Sequence, residues 1–146
     1  MRVCHASHLV LNDQYHALFE ASDVIGERIQ KLFGSTPTTR EILDLGIIDD
    51  AVVGSTEFDI YKDLARDNFE LANQCIKAAI VAQDLDDGAT VNLLGDRQEQ
   101  HEDFVWRLTS MLPDRDRDDF IDELQASVET ESQDEAPTEK RLRIKA

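Results

Sequence analysis

One helical face near the start of the chain gathers most of the residue types able to hold a metal ion. His5, His8, Asn12, His16, Glu20, Asp23 and Glu27 follow one another mostly at intervals of four, which puts them on roughly one side of an α-helix. His5 and His8 are metal-ligating types one turn apart, and Asp23 and Glu27 are two carboxylates one turn apart. A solvated polar face has the same composition and is the commoner origin of such a stripe in an acidic chain. His8 and Asp23 stand 15 residues apart, so about 22 Å separates them along a helix rising 1.5 Å per residue. One chain cannot hold one ion with both. Two antiparallel copies of the helix would bring His8 of one against Asp23 and Glu27 of the other, so a metal site here requires a two-fold interface.

The elements that must carry these residues are helices. Strand-like alternation is nearly absent, and only six Gly and three Pro interrupt 146 residues, so the fold class is all-α. Leu11, Tyr15, Leu18, Ile25, Ile29 and Leu32 recur at alternating spacings of four and three, with Ser22 in the one gap. This predicts an amphipathic helix from Ala6 to Phe33, roughly 40 Å long. Gly34 and Pro37 stop it. A short helix is expected over Thr39–Leu45, and the apolar stretch Ile47–Ser55 is expected to pack across the helices.

A second long helix should span Glu57–Gln83, with Tyr61, Leu64, Leu71, Cys75, Ile76 and Ala79 inward. Asp86-Asp87-Gly88 reads as a tight turn. The third long helix should run Ala89–Leu112, with Val91, Leu94, His101, Val105, Leu108 and Leu112 on one face, and Pro113 ends it. A short amphipathic helix is expected at Asp116–Val128, and Glu129–Ala146 reads as a disordered polar tail. The domain plan is thus a helical body over 1–112, a short helix within 113–128 and a tail over 129–146. Three long helices, one long connector and one tight turn make a four-helix-bundle type with one helix missing.

Charge excludes several functions. Asp and Glu total 31 against 15 Lys and Arg, a net charge of −16. Such a surface repels nucleic acid and anionic membranes. The four basic residues of the tail are outweighed by its five acidic ones, so DNA binding is not expected. Asp outnumbers Glu and Arg outnumbers Lys, which hints at a salt-adapted source. Cys4 and Cys75 form no disulfide framework. No run of 18 apolar residues and no apolar signal core occur, and a cytoplasmic location follows as the expectation.

The run His8-Leu-Val-Leu-Asn12-Asp13-Gln14, followed by Ser22-Asp23-Val-Ile-Gly-Glu27-Arg28 and closing at Gly34, resembles the second helix of the Dps family. These are ferritin-like mini-ferritins, the DNA-binding proteins from starved cells. Ala89-Thr90-Val-Asn-Leu93-Leu94 and Phe104-Val-Trp106 resemble that family's last bundle helix, so the likeness covers about Ala6 to Leu112. It implies a ferritin-like four-helix-bundle subunit that assembles through two-fold contacts into a twelve-subunit shell. It also implies ferroxidase activity, in which Fe(II) is oxidised between two-fold-related subunits, usually by peroxide, and stored as mineral. Iron storage and protection against oxidative stress would follow. Carried over, His8, Asp23 and Glu27 are the metal ligands.

The chain departs from the family in two places. Asn12 stands where the family has a second carboxylate, a neutral and weaker ligand for iron. The sequence starts where the family's second helix starts, so the first helix, with its own histidine, is expected to be encoded upstream of Met1, truncated or lost. The alternative function is therefore a non-enzymatic, degenerate Dps-like interaction or structural protein. Three further features are weaker. Asp13-x-x-His16 is a second metal-ligand pair of a common kind. Asp86 and Asp87 suit a turn or the lining of a cation funnel in an assembled shell. His101 fits the edge of the core, and Trp106 fits the core itself.

Overall fold

The computed structural model describes residues 5–46, 48 and 56–134. They form five helices: α1 (His5–Lys31), α2 (Thr39–Leu45), α3 (Glu57–Asp84), α4 (Gly88–Thr109) and α5 (Asp114–Asp134). No strand occurs among the described residues, so the all-α class holds.

Local chemistry sets the ends of the helices. Thr38 and Thr56 cap α2 and α3, each paired reciprocally with an acid three residues on, Glu41 and Asp59. These capping boxes satisfy amide donors that a helix start leaves open. Asp87 caps α4 by accepting the Thr90 amide at 3.1 Å. α1 ends in a different way from the glycine stop expected at Gly34. Phe33, not Gly34, takes the left-handed conformation, with φ of 61°. The Phe33 amide donates to Gln30 O and the Gly34 amide to Ile29 O, each at 2.9 Å, the two bonds of a Schellman motif. Gly34 is required for space instead, since a Cβ there would lie 2.9 Å from Ile29 Cγ2. Asp86, with φ of 56°, closes α3 in the same manner through bonds to Gln83 O and, from Asp87, to Ala82 O.

The tight unit is the antiparallel pair α3–α4, packed along its length. Small buried residues on α3 (Ala65, Ala72 and Ala82) let the two helices approach closely. α1 lies against α4 and runs in the same direction as α3. Ser7, near its start, donates to Glu57 at the start of α3 (3.0 Å) and meets the Tyr61 hydroxyl, while Arg28, near its end, reaches Asp87 and Thr90 at the start of α4. The connector from α1 to α3 therefore returns the chain from one end of the bundle to the other.

The core sits at the end where α3 begins. Tyr61, Ala65, Phe104, Leu108, Leu112, Phe120 and Leu124 form one buried cluster, with Val10, Leu11 and Ala17 of α1 packed on it. α5 covers this end of the cluster by inserting Phe120 and Leu124. Burial of two such side chains contributes about 1.5–3 kcal/mol each. Lys62 and Arg66 stack on the Phe120 ring at 5.8 and 4.9 Å, and Arg66 pairs with Glu123 at 3.0 Å.

Several expectations are corrected. α5 begins two residues earlier than expected and continues to Asp134, because no Gly or Pro falls between Pro113 and Pro137 to stop it. Trp106 is 66% exposed rather than core. Apart from Leu11 and Ile29, which are half-buried, the apolar stripe of α1 is not its buried face either. Ser7, Gln14 and Ala21 are buried and Arg28 is half-buried, a seven-residue recurrence that turns Tyr15, Leu18, Ile25 and Leu32 outward. Ile47 and residues 49–55, expected to pack across the helices, lie outside the described residues, as do residues 135–146 of the expected tail.

Candidate functional site

α1 is a continuous helix, so it presents its polar stripe as a single surface. Ion pairing suits its direction: Arg28 and Lys31 occupy the last turn, where positive charge is favoured by the helix dipole. His8, Asn12, Asp23 and Glu27 are all solvent-exposed on it. Tyr15 (65%), two turns from His8, and Phe19 (68%), one turn from Asp23, are exposed on the same side, whereas Leu18 and Ile25 lie around the helix from the two carboxylates. Ligand-type residues and uncovered apolar residues thus share the outward side of the same helix.

Asp23 and Glu27 line an open groove of about 540 Å³ with Phe19, Ser22, Gly26, Gln30 and, from the connector, Thr36. The connector passes close to Gly26, where an added Cβ would meet Thr36 Cγ2 at an ordinary 3.5 Å. Glu27 is engaged by Lys31 at 2.8 Å. That hydrogen bond, and then the Lys31 charge, hold the Glu27 carboxyl below its ordinary range. A cation taking Glu27 must displace an exposed lysine, which costs little.

The structure brings Asp23 and Glu27 together and keeps His8 at the far end of the helix. Among the described residues, no three His, Cys, Asp or Glu side chains gather closely enough to hold an ion. Asp13 points to Arg107 at 3.5 Å, and Arg107 also pairs with Asp103 at 2.8 Å. His16 stacks edge-on against Tyr15 at 5.3 Å. Asp87 is committed to Arg28 at 2.5 Å and to Thr90.

Comparison with family models, with curated proteins and with solved structures gives no match.

Some interactions that organise the helices escape a reading by type and spacing. Ser7, Tyr61 and Glu57 form a hydrogen-bonded set between α1 and α3, in which the Tyr61 hydroxyl donates to Glu57. Arg28 donates through Nε to Thr90 Oγ1 at 2.8 Å and through Nη2 to Asp87. Asn68 and His101 join α3 to α4 at 2.9 Å. The first and third sets carry no local signal, because their partners come from separate helices. Asp87 does carry one, since an aspartate just before an apolar-periodic run is a helix N-cap signal. No described helix is long and apolar enough to cross a membrane.

Proposed function

We propose that this chain is a ferritin-like, Dps-type subunit that binds Fe(II) between two antiparallel copies of α1 and oxidises it slowly. The observation that carries the reading is the outward side of α1. His8, Asp23 and Glu27 lie exposed on it beside the uncovered Tyr15 and Phe19. A second copy seated there would cover the apolar residues and supply the ligands that one chain cannot bring together. The course of the chain also favours the ferritin-like form, because α1 and α3 run in the same direction across one long connector, as in bundles with a single crossover.

Each half-site would offer the His8 imidazole from one copy and the Asp23 and Glu27 carboxylates from the other. That mixed nitrogen and oxygen set suits Fe(II), with Mn(II) and Zn(II) as competitors. Asn12 withholds a further negative ligand, so one metal per half-site is expected, and peroxide is the expected oxidant. A non-enzymatic, interacting subunit is the second reading, favoured by Asn12 and by the engagement of Glu27 with Lys31. A two-fold pair, built up toward a twelve-subunit shell, serves either reading. Duplex DNA is not an expected partner, because the net charge of −16 opposes phosphate contacts.

Anaerobic calorimetric titration with Fe(II), run beside light scattering, separates these readings. Wild type should bind Fe(II) as an oligomer, Glu27→Gln should lose binding while remaining associated, and Asn12→Asp should bind more tightly. Equal Fe(II) binding by wild type and Glu27→Gln removes the metal site and leaves the interacting subunit.

A further inference from the structure

We propose that Asn68 and His101 form an acid-sensitive latch that holds α3 against α4 at neutral pH and loosens the pair in mild acid. Both residues are buried, Asn68 with 1% and His101 with 7% of its surface exposed. Asn68 donates Nδ2 to Leu64 O at 2.7 Å, which leaves its Oδ1 to face the ring. His101 Nδ1 lies 2.9 Å from that oxygen, so Nδ1 carries the proton and donates. Any further proton must go to Nε2 and brings a full charge with it.

The surroundings oppose that charge. On α4 the Arg97 guanidinium lies one turn away and carries the same sign. α3 presents the neutral Asn68 at this level, with Asp67 beside it in sequence and Cys75, which itself feels Arg97, two turns on. The inward residues of α1, Gln14, Ala17 and Ala21, do not titrate, and Gln14 Oε1 is buried without a hydrogen-bond partner. α5 contributes Phe120 and Leu124 to the core beyond. Burial, and then Arg97, push the imidazole below its ordinary value.

The consequence is local and directional. Phe104 and Leu108 follow His101 on the same side of α4 and belong to the buried cluster. Outward movement of the charged ring therefore loosens the core to which α1 and α5 are anchored. A histidine with its folded pKa depressed gives stability that is present above its unfolded value, near 6.5, and lost as pH falls below it. Among the buried polar residues Ser7, Gln14, Asn68, His101 and Thr109, His101 alone changes charge in that range. The latch is independent of the metal reading, since none of its residues lies on the outward side of α1.

Urea unfolding of the full chain across pH 7.5 to 5, for wild type and His101→Gln, tests the latch. Wild type should take up as much as one more proton on unfolding than His101→Gln does, so its midpoint falls faster with acid. Asn68→Asp, which faces the ring with a carboxylate, should reverse the slope. Imidazole NMR on wild type reads the same group without substitution and should place the His101 titration below 6.5. Parallel pH curves for wild type and His101→Gln, or titration of His101 at or above 6.5, overturn the proposal.

Discussion

Arg28 places Nη2 2.5 Å from Oδ1 of Asp87, tying the last turn of α1 to the residue that caps α4. The hydrogen bond from Arg28, followed by those from Thr90, holds the Asp87 carboxyl well below its ordinary range. A carboxyl depressed in the folded state contributes stability that is present above its unfolded value, near 3.8, and lost as pH falls further. Asp87→Asn keeps an acceptor for the cap but removes the charge. It should lower the urea midpoint at neutral pH. The difference from wild type should shrink from near pH 3.8 toward about pH 2 as the carboxyl of the unfolded chain becomes protonated. A difference that stays constant down to that pH would show that the ion pair with Arg28 contributes nothing.

Among the described residues, Phe33 and Asp86 are the non-glycine residues in the left-handed region. Phe33 is the costlier, because Asp tolerates that conformation better than an aromatic residue does. Its side chain is fully exposed, so the conformation is not offset by packing within the chain. Phe33→Gly should stabilise the isolated subunit by about 1 kcal/mol, measured by urea unfolding at low protein concentration. Loss of stability in that variant would mean that the ring is buried by an unseen contact.

Phe120 and Trp106 make a paired test of the core. Phe120 is 2% exposed and Trp106 is 66% exposed. Phe120→Ala should cost about 3–5 kcal/mol, whereas Trp106→Ala should change subunit stability by no more than about 0.5 kcal/mol. Comparable losses from both would show that α5 does not anchor the bundle.

The outward side of α1 can be tested apart from metal. Tyr15→Glu and Phe19→Asp place charges on residues that are 65% and 68% exposed, so helicity by circular dichroism should barely change. Association by sedimentation at micromolar concentration should fall sharply, because a buried unpaired carboxylate opposes docking. Wild type sedimenting as a monomer at that concentration would rule out the two-fold surface itself.

Much of the helical plan is legible in the sequence. The alternation of four and three along Leu11 to Leu32, the stop near Gly34 and the turn at Asp86-Asp87-Gly88 mark α1, α3 and α4 to within a few residues, because backbone hydrogen bonding and side-chain sterics act locally. The same signals mark α2. α5 is legible in position but not in length. Its last turns are polar, so periodicity fades there while the absence of Gly and Pro lets the helix continue.

The tertiary structure decides which faces are covered. Periodicity shows that α1 has an apolar stripe, but only packing shows that Ser7, Gln14 and Ala21 turn inward and that Tyr15, Leu18 and Ile25 turn out. Most buried polar groups are hydrogen-bonded, and here the partner can come from another helix, as Tyr61 and Glu57 do for Ser7 and as Asn68 does for His101. Those partners stand 33 or more residues away in sequence. The helices themselves follow from interactions within a few residues, whereas the inward face of each helix follows from what the rest of the chain sets against it.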